Sequence, residues 1–271
     1  MKHATFFLTA AQYAWLAQAL PRPTARTGRP ALGNQLLLPG IVFVLKTGCR
    51  WKDIPPHLCR YGYVSCWRRL RYWQARGALH AAWQSALDGL ERQSALDPLV
   101  CQLDGSLVQA PHWRDACGYS GKHRRYGTKL SLVVDFGGTP LAGVLTAGNR
   151  NDAYSAAATV LKLAVSRDCQ PCILNADKGY DSSRFRAYLE AAGIVANIPL
   201  RSVAHRQDRL DSPPTSYDAG VGTLRVRVER TFAWLKYYRR LRYRWERHLS
   251  MFQAFVELGC TLVCLRKGGE F

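Results

Sequence analysis

The stretch that decides the fold class is Thr128-Lys-Leu-Ser-Leu-Val-Val-Asp-Phe-Gly-Gly-Thr-Pro-Leu-Ala-Gly-Val-Leu-Thr146. Two runs rich in aliphatic and β-branched residues, 128–136 and 140–146, have the composition of β-strands. They are joined by Gly137-Gly138, a pair that favours the tight turn of a hairpin. We therefore predict two antiparallel strands near the middle of the chain.

Further strands and helices alternate on both sides of this hairpin. The predicted strands are 99–104, which ends on Asp104, 172–176, which runs into Asp177, and 194–198. The predicted helices are 152–166, 182–192, 225–236 and 249–266, with a polar loop at 201–222. The alternation after Pro98 indicates an α/β domain, which we place at residues 98–271.

The first part of the chain has helical patterns instead. Predicted helices cover 10–20, 34–47, 63–76 and 78–93, with a basic linker at 21–30, and we assign residues 1–97 to one helical domain. The third helix mixes tryptophans with Arg68, Arg69 and Arg71, as in a helix-turn-helix-like DNA reader. The alternative is a plain helical packing domain whose arginines are solvated.

The chain is strongly basic, with 38 Lys and Arg residues against 19 Asp and Glu and a net charge of +19. This charge suits a polyanionic partner, nucleic acid first of all; the alternative is a soluble basic protein without such a partner. Nine cysteines without a regular framework indicate a reducing cytoplasm, and no signal peptide is recognised. We expect no membrane span, because no apolar run reaches the roughly 20 residues that a span needs.

Three acidic residues are candidate metal ligands. Asp104 and Asp177 end apolar strands, where side chains gather at the rim of a sheet, and Glu229 lies on a predicted helix. Three carboxylates could hold hard divalent cations such as Mg²⁺, and two such ions can support an in-line phosphoryl transfer. Glu229 alone is explained equally well as a surface acid paired with neighbouring cations.

The segment around Glu229 is rich in cations and aromatic residues. Arg225, Glu229 and Lys236 fall on one stripe of the predicted helix, beside an apolar stripe that can pack on a core. The candidate DNA contacts here are Arg225, Trp234, Lys236, Arg239, Arg240 and Arg242. Interleaved arginines and aromatics suit a DNA groove, although such a run can also be a solvated face. Trp234 could stack on an unpaired base or belong to the core.

Other acids near strand and helix ends are assigned supporting roles. We predict that Asp181 caps the helix that follows it, and that Asp135 and Asp152 are structural or support the metal ligands. None of the seven histidines has a Ser or Cys partner at a recognisable spacing, so the sequence offers no support for nucleophilic catalysis.

With these residues, the chain resembles bacterial insertion-sequence transposases of the DDE type. The segments that carry the resemblance are Asp104-Gly-Ser, Ala176 to Asp181 and Val228 to Leu235. Related families have a Tyr-Arg-Glu-Lys signature, and Arg225, Glu229 and Lys236 fit its spacing, whereas Gly222 stands at the Tyr position.

The resemblance implies an RNase H-like mixed sheet flanked by helices, preceded by a helical DNA-binding domain. It also implies that Asp104, Asp177 and Glu229 hold two Mg²⁺ ions, for which Mn²⁺ can substitute. Water would first cut DNA at the end of the element, and the freed 3′-hydroxyl would then attack target DNA, with Arg225 and Lys236 holding phosphates. The implied partners are double-stranded DNA and at least one further copy of the chain, in the bacterial cytoplasm and on the nucleoid.

Two other functions fit the same residues. One is a DNA-binding protein without catalysis, derived from an inactive or repurposed copy of a transposase. The other is a metal-dependent nuclease that cuts DNA without joining it. Strand transfer distinguishes a transposase from both.

Overall fold

The computed structural model describes residues 8–24, 30–167, 171–200 and 217–268. Parts of the predicted linker 21–30 and of the predicted loop 201–222 lie outside these ranges. The chain divides into two compact units, which we call unit 1 (Met1–Ala95 with Trp234–Phe271) and unit 2 (Leu96–Ala233).

The secondary structure is helical in unit 1 and mixed in unit 2. The helices are α1 (Ala10–Ala19), α2 (Leu38–Thr47), α3 (Tyr63–Ala75), α4 (Ala78–Arg92), α5 (Asp152–Arg167), α6 (Ser183–Ala191), α7 (Ala219–Gly222), α8 (Val226–Tyr237) and α9 (Leu249–Lys267). The strands are β1 (Val100–Gln109), β2 (Gly118–Ser120), β3 (Arg125–Val134), β4 (Pro140–Ala147), β5 (Ile173–Asn175) and β6 (Val195–Asn197). Short 3-10 turns include Lys178–Tyr180, Thr223–Arg225 and Arg239–Leu241.

Unit 1 is built around α9, which packs against α3 and α4. The amide of Gln12 on α1 donates to the carbonyl of Leu265, 3.0 Å away, so that the first and last helices are joined by a buried hydrogen bond. We predicted that residues 98–271 form one domain, whereas 234–271 group with the N-terminal helices. The physical reason is that α9 is buried on nearly all sides and packs against α3 and α4.

Among the described residues, α9 alone is long and apolar enough to cross a membrane. It has 19 residues, and the mean hydropathy of its most apolar window is 1.4, so it comes close to the roughly 20 residues that the sequence analysis set for a span. However, 78% of its apolar window is buried inside the structure. A core helix of a folded unit has this property, and the packing of α9 in unit 1 agrees with it.

Unit 2 contains a mixed sheet in the order β4-β3-β1-β5-β6, with β2 paired to the first residues of β3. The pairs β1–β3 and β3–β4 are antiparallel, whereas β1–β5 and β5–β6 are parallel. Helix α5 lies on β3 and β4, where Thr159 Oγ1 and Ser131 Oγ are 3.0 Å apart. The predicted fold class, an RNase H-like mixed sheet flanked by helices, is confirmed.

Strand β1 is longer than predicted and does not end at Asp104. Its antiparallel pairing with β3 continues from Gln102 to Gln109, which keeps the residues after Asp104 in a ladder. On its other side, the parallel pairing with β5 stops at the pair Gln102–Asn175. Asp104 therefore lies within a strand but just beyond the end of the parallel ladder.

The apolar stripe predicted for α8 is confirmed. Val228 and Thr231 are buried in unit 2, where the Thr231 hydroxyl donates to the carbonyl of Gly138 at 2.5 Å. Leu235 and Tyr238 are buried in unit 1.

Candidate active site

Asp104 and Asp177 come from neighbouring strands. Each follows the last parallel pair of β1 and β5 by two residues, so the register brings them side by side. Asp104 Oδ1 accepts a hydrogen bond from the Gly105 amide at 2.8 Å, and Asp177 Oδ1 accepts one from the Gly179 amide at 2.7 Å. Both carboxylates are thus oriented by backbone groups.

Asp104 lies in a cluster of charged groups. Burial, the largest cause, raises the pKa of Asp104, while the Gly105 amide and the positive charge of Arg225 lower it. The charges of Asp177 and Asp152 raise this pKa further. The structure therefore brings together Asp104 and Asp177, and it adds Asp152 to them.

Tyr180 projects a buried hydroxyl into this cluster. Its pKa is raised well above the ordinary value, chiefly by burial and then by the charges of Asp104, Asp152 and Asp177. The hydroxyl is buried without a hydrogen-bond partner. A β-carbon on Gly105 would lie 3.1 Å from this oxygen, so a glycine is what lets the tyrosine approach the strand so closely.

Asp152 begins α5 and forms an ion pair with Lys129 of β3. Lys129 Nζ lies 2.5 Å from Asp152 Oδ1 and also donates to the carbonyl of Arg150 at 2.7 Å. We predicted that Asp152 is structural or supports the metal ligands, and its ion pair with Lys129 is a structural role. Tyr180 was missed, because only the tertiary fold shows that its hydroxyl faces the carboxylates.

Glu229 is exposed in the first turn of α8. Within the described ranges, no group of three or more His, Cys, Asp or Glu residues is arranged so that it could hold a metal ion. Arg225, in the 3-10 turn that precedes α8, is half-buried and contributes the positive charge that acts on Asp104. Of the three predicted metal ligands, the structure therefore groups Asp104 with Asp177 and leaves Glu229 exposed outside that pair.

The predicted DNA contacts fall into two groups. Arg68, Arg71, Arg239, Arg242 and Trp234 are exposed, and Lys236 is half-exposed. Trp234 has 42% of its surface accessible, so it does not belong to the core.

Arg69 and Arg240 are buried, which does not support the prediction that they contact DNA. Arg69 donates to the carbonyl of Leu32 at 2.8 Å and to the side chain of Asn34. Arg240 Nε lies 2.6 Å from Glu246 Oε1, and the same guanidinium donates to the carbonyl of Cys49 at 2.9 Å. Both arginines satisfy buried acceptors in unit 1.

Two of the acids assigned supporting roles can be compared with the structure. Asp181 does not cap α6, because Ser182 accepts the hydrogen bond from the Phe185 amide. Asp181 is instead buried and paired with Arg186, whose Nε is 2.9 Å from its carboxylate. Asp135 is structural as predicted, since it is buried and accepts from the backbone amide of Thr139 at 2.5 Å.

Comparisons with known proteins identify the family of the chain. A family model described as "Transposase DDE domain" matches residues 96–264, and one described as "Putative transposase of IS4/5 family" matches residues 8–83. The chain is 38% identical over 180 residues to the "Putative transposase for insertion sequence element IS402" of Burkholderia cepacia. That alignment covers 64% of this chain and 80% of the relative.

A second relative is the "Putative transposase for insertion sequence element IS6501" of Brucella ovis. It is 32% identical over 139 residues, which is 51% of this chain and 98% of the relative. Among solved structures, the catalytic domain of Mos1 mariner transposase aligns with 71% of this chain and 94% of its own length. Its identity of 12% and TM-score of 0.28 are too low to support any inference about this site.

Proposed function

The chain belongs to the Transposase DDE domain family, and we propose that it cuts and joins DNA with the carboxylates of Asp104 and Asp177 around divalent metal ions. It is a transposase, an enzyme that cleaves and transfers DNA. The observation that carries the proposal is the register of β1 and β5, which sets the two aspartates side by side. The experiment below tests whether these two carboxylates bind the metal ions and are required for cleavage.

The donor set fits a hard divalent cation. Burial and the neighbouring carboxylates raise the pKa of Asp104, and a bound cation would offset that repulsion. Mg²⁺ commonly uses one or two carboxylates and takes its other oxygens from water and substrate phosphates. We propose two Mg²⁺ ions, replaceable by Mn²⁺, with Glu229 as a further ligand on the basis of its motif spacing. When bound, such ions activate an attacking oxygen and stabilise a leaving one.

The protein groups around the pair orient the carboxylates and balance their charge. The amides of Gly105 and Gly179 each hold one carboxylate oxygen, which leaves the rest of each group for a ligand. Arg225 lowers the pKa of Asp104 and so favours its ionised form. In our proposal, water attacks the scissile phosphate in line, and the freed 3′-hydroxyl then attacks a phosphate of the target.

The charge of the chain supports a DNA partner. The net charge of +19 suits a duplex, and the exposed Arg68, Arg71, Arg239 and Arg242 can reach its phosphates. We propose that the chain binds the ends of its element and then target DNA. We also propose that at least two copies of the chain act together on the two ends, in the bacterial cytoplasm and on the nucleoid.

The test is incubation of the purified protein with Mg²⁺ and duplex DNA that carries the inverted repeats flanking its gene. We expect cut ends and joined products, both lost in Asp104→Asn and Asp177→Asn and retained in Glu190→Gln, which changes an exposed acid of α6. Activity in either aspartate variant would contradict the proposal. Cutting without joining would indicate a nuclease, and binding without cutting in any divalent metal would indicate an inactive DNA-binding protein.

A further inference from the structure

A cleft in unit 2 adjoins the carboxylate pair, and none of the metal ligands or DNA contacts predicted from the sequence lines it. It has a volume of about 320 Å³ and lies between the turn that joins β2 to β3, the loop after β4 and the face of the sheet. The lining residues on which the inference depends are Tyr119, Lys122, His123, Lys129, Arg150 and Asp152.

The inner end of the cleft lies against the backbone that holds the carboxylates. Gly105 and Gly179 both line it, and their amides donate to Asp104 and Asp177 respectively. Asp152 also lines the cleft, and its charge raises the pKa of Asp104. A DNA strand held at the carboxylates would therefore continue into, or arrive from, this cleft.

The cleft is positively charged. Lys129 is neutralised by its ion pair with Asp152, which leaves the exposed side chains of Lys122 and Arg150 as the cations at its mouth. His123 lies beside them; burial and then the charges of Lys122, Arg125 and Lys129 lower its pKa. The charge of Asp152 acts in the opposite direction on this pKa. The exposed cations Lys122 and Arg150 favour a phosphate group at the mouth of the cleft.

The walls of the cleft are fixed by close backbone packing. A β-carbon on Gly148 would lie 2.7 Å from the carbonyl oxygen of Gly127 and 2.8 Å from that of Gly118. The loop after β4 therefore rests directly on β2 and β3, and only glycine permits this approach. Lys129 further holds the loop through the carbonyl of Arg150. The cations are thus presented by a preformed surface.

Aromatic side chains continue the cleft along the outside of the β2–β3 hairpin. Tyr119 and Tyr126 have ring centroids 5.2 Å apart, and both are exposed. His112 lies 5.6 Å from Tyr126. Exposed rings interleaved with cations suit a nucleic-acid strand, because bases or sugars contact the rings while the phosphates contact the cations.

We propose that this cleft binds the sugar-phosphate backbone of the DNA strand next to the scissile phosphate, with Lys122 and Arg150 as phosphate contacts and Tyr119 as an aromatic contact. The inference rests on the proposed function, since it names a further contact of the same substrate. It assigns this role to the β2–β3 hairpin and to the loop before α5, whereas the sequence directed attention to arginines near α3 and α8.

The test compares Lys122→Ala/Arg150→Ala with Arg92→Ala/Arg184→Ala, which removes two exposed cations from α4 and α6. The two double variants have the same net charge, and all four positions are exposed, so both should fold. Binding to duplex DNA that carries the element end is measured over a range of salt concentrations. We call Lys122→Ala/Arg150→Ala the cleft variant and Arg92→Ala/Arg184→Ala the control variant. Each lost phosphate contact reduces the slope of log K against log salt by about 0.9, so we expect a reduction of about 1.8 in the cleft variant.

A second measurement locates the contact on the DNA. Uncharged methylphosphonates replace the phosphates within about three nucleotides of the cut, one position at a time. A methylphosphonate at one or two of these positions should weaken DNA binding by the wild type about tenfold. The same methylphosphonate should cause no additional loss in the cleft variant, because the two changes remove the same contact. The control variant should respond to the substitutions as the wild type does.

The result that would overturn the inference is a cleft variant with the same salt slope and the same response to methylphosphonates as the control. Because these measurements need binding only, they separate the cleft from the catalytic proposal. If the wild type does not cleave DNA but the salt slope and the methylphosphonate effects are as expected, only the catalytic proposal is contradicted. If the wild type cleaves DNA but the cleft variant has the salt slope and the methylphosphonate effects of the control variant, only the inference about the cleft is contradicted.

Discussion

Lys129 Nζ lies 2.5 Å from Asp152 Oδ1, which joins the face of the sheet to the first residue of α5. Lys129 belongs to β3, and its second hydrogen bond, to the carbonyl of Arg150, fixes the loop that leads into the helix. The pair has two consequences. The charge of Lys129 offsets the negative charge of Asp152, a carboxylate near Asp104. The pair also positions one wall of the cationic cleft.

We expect Lys129→Met to lower the free energy of unfolding by about 1–2 kcal/mol, because it removes a charge-assisted hydrogen bond that is only partly solvated. Asp152→Asn should cost a similar amount, and the double variant less than the sum, since both changes remove one interaction. Urea unfolding of the four proteins measures this coupling. Strictly additive losses would show that the pair does not contribute as a unit.

We expect Tyr180→Phe to separate stability from activity. The hydroxyl is buried without a hydrogen-bond partner, so its removal should leave the free energy of unfolding unchanged or raise it by up to about 1 kcal/mol. Because the oxygen lies among the carboxylates, we expect DNA cleavage to fall by about tenfold. The matched control is Tyr188→Phe on α6, which should retain activity; a Tyr180→Phe protein with full cleavage would contradict the role of the hydroxyl.

Asp104 should reduce stability at neutral pH, because burial raises its pKa in the folded protein. The folded state then binds a proton more tightly than the unfolded state, so stability falls as pH rises from the ordinary pKa of 3.8 through the raised value. We expect Asp104→Asn to be more stable than the wild type at pH 7 in EDTA, and the difference to disappear below the ordinary pKa. Denaturant unfolding at several pH values measures it, and a pH-independent difference would contradict the assignment.

The neighbours Arg239 and Arg240 should behave in opposite ways. Arg240 is buried against Glu246, so Arg240→Ala leaves a buried acid without its partner and should cost about 3–5 kcal/mol of stability. Arg239 is exposed, and Arg239→Ala should leave stability within about 0.5 kcal/mol while weakening DNA binding. Thermal unfolding and a binding titration distinguish the two. Equal stability losses would show that the two arginines do not differ in this way.

Local patterns were enough to locate the elements that carry the site. The apolar runs before Asp104 and Asp177 predicted two strands, which the structure shows to be neighbours, and the helix stripe containing Val228 and Thr231 predicted the buried face of α8. These predictions succeeded because a strand or a helix face is set by residues close together in sequence. The length of β1 was underestimated, since its last residues are held by β3 rather than by their own composition.

Long-range contacts were beyond the reach of the sequence. Arg239 and Arg240 are adjacent and chemically identical, yet one is exposed and the other is paired with Glu246 in the interior. Tyr180 and Asp152 approach Gly105 from different elements, and nothing in their local sequence shows it. The grouping of α9 with unit 1 likewise depends on which apolar face covers it.

Glu229 provides the last test, because its assignment as a metal ligand rests on motif spacing and its structural position is an exposed helix surface. An exposed carboxylate contributes little to folding, so Glu229→Gln should leave stability within about 0.5 kcal/mol. If it completes the metal set once DNA and metal are bound, cleavage should fall by at least about a hundredfold. Glu190→Gln, an exposed acid on α6, is the control and should cleave normally.

The same variants identify the acid that joins Asp104 and Asp177. Binding of Mn²⁺ in the presence of element-end DNA should be weakened by Glu229→Gln and unaffected by Glu190→Gln. Full cleavage by Glu229→Gln, together with loss of both cleavage and Mn²⁺ binding in Asp152→Asn, would transfer the role to Asp152. The charge of Asp152 raises the pKa of Asp104 in the structure, so Asp152 is the alternative to Glu229 as the third metal ligand.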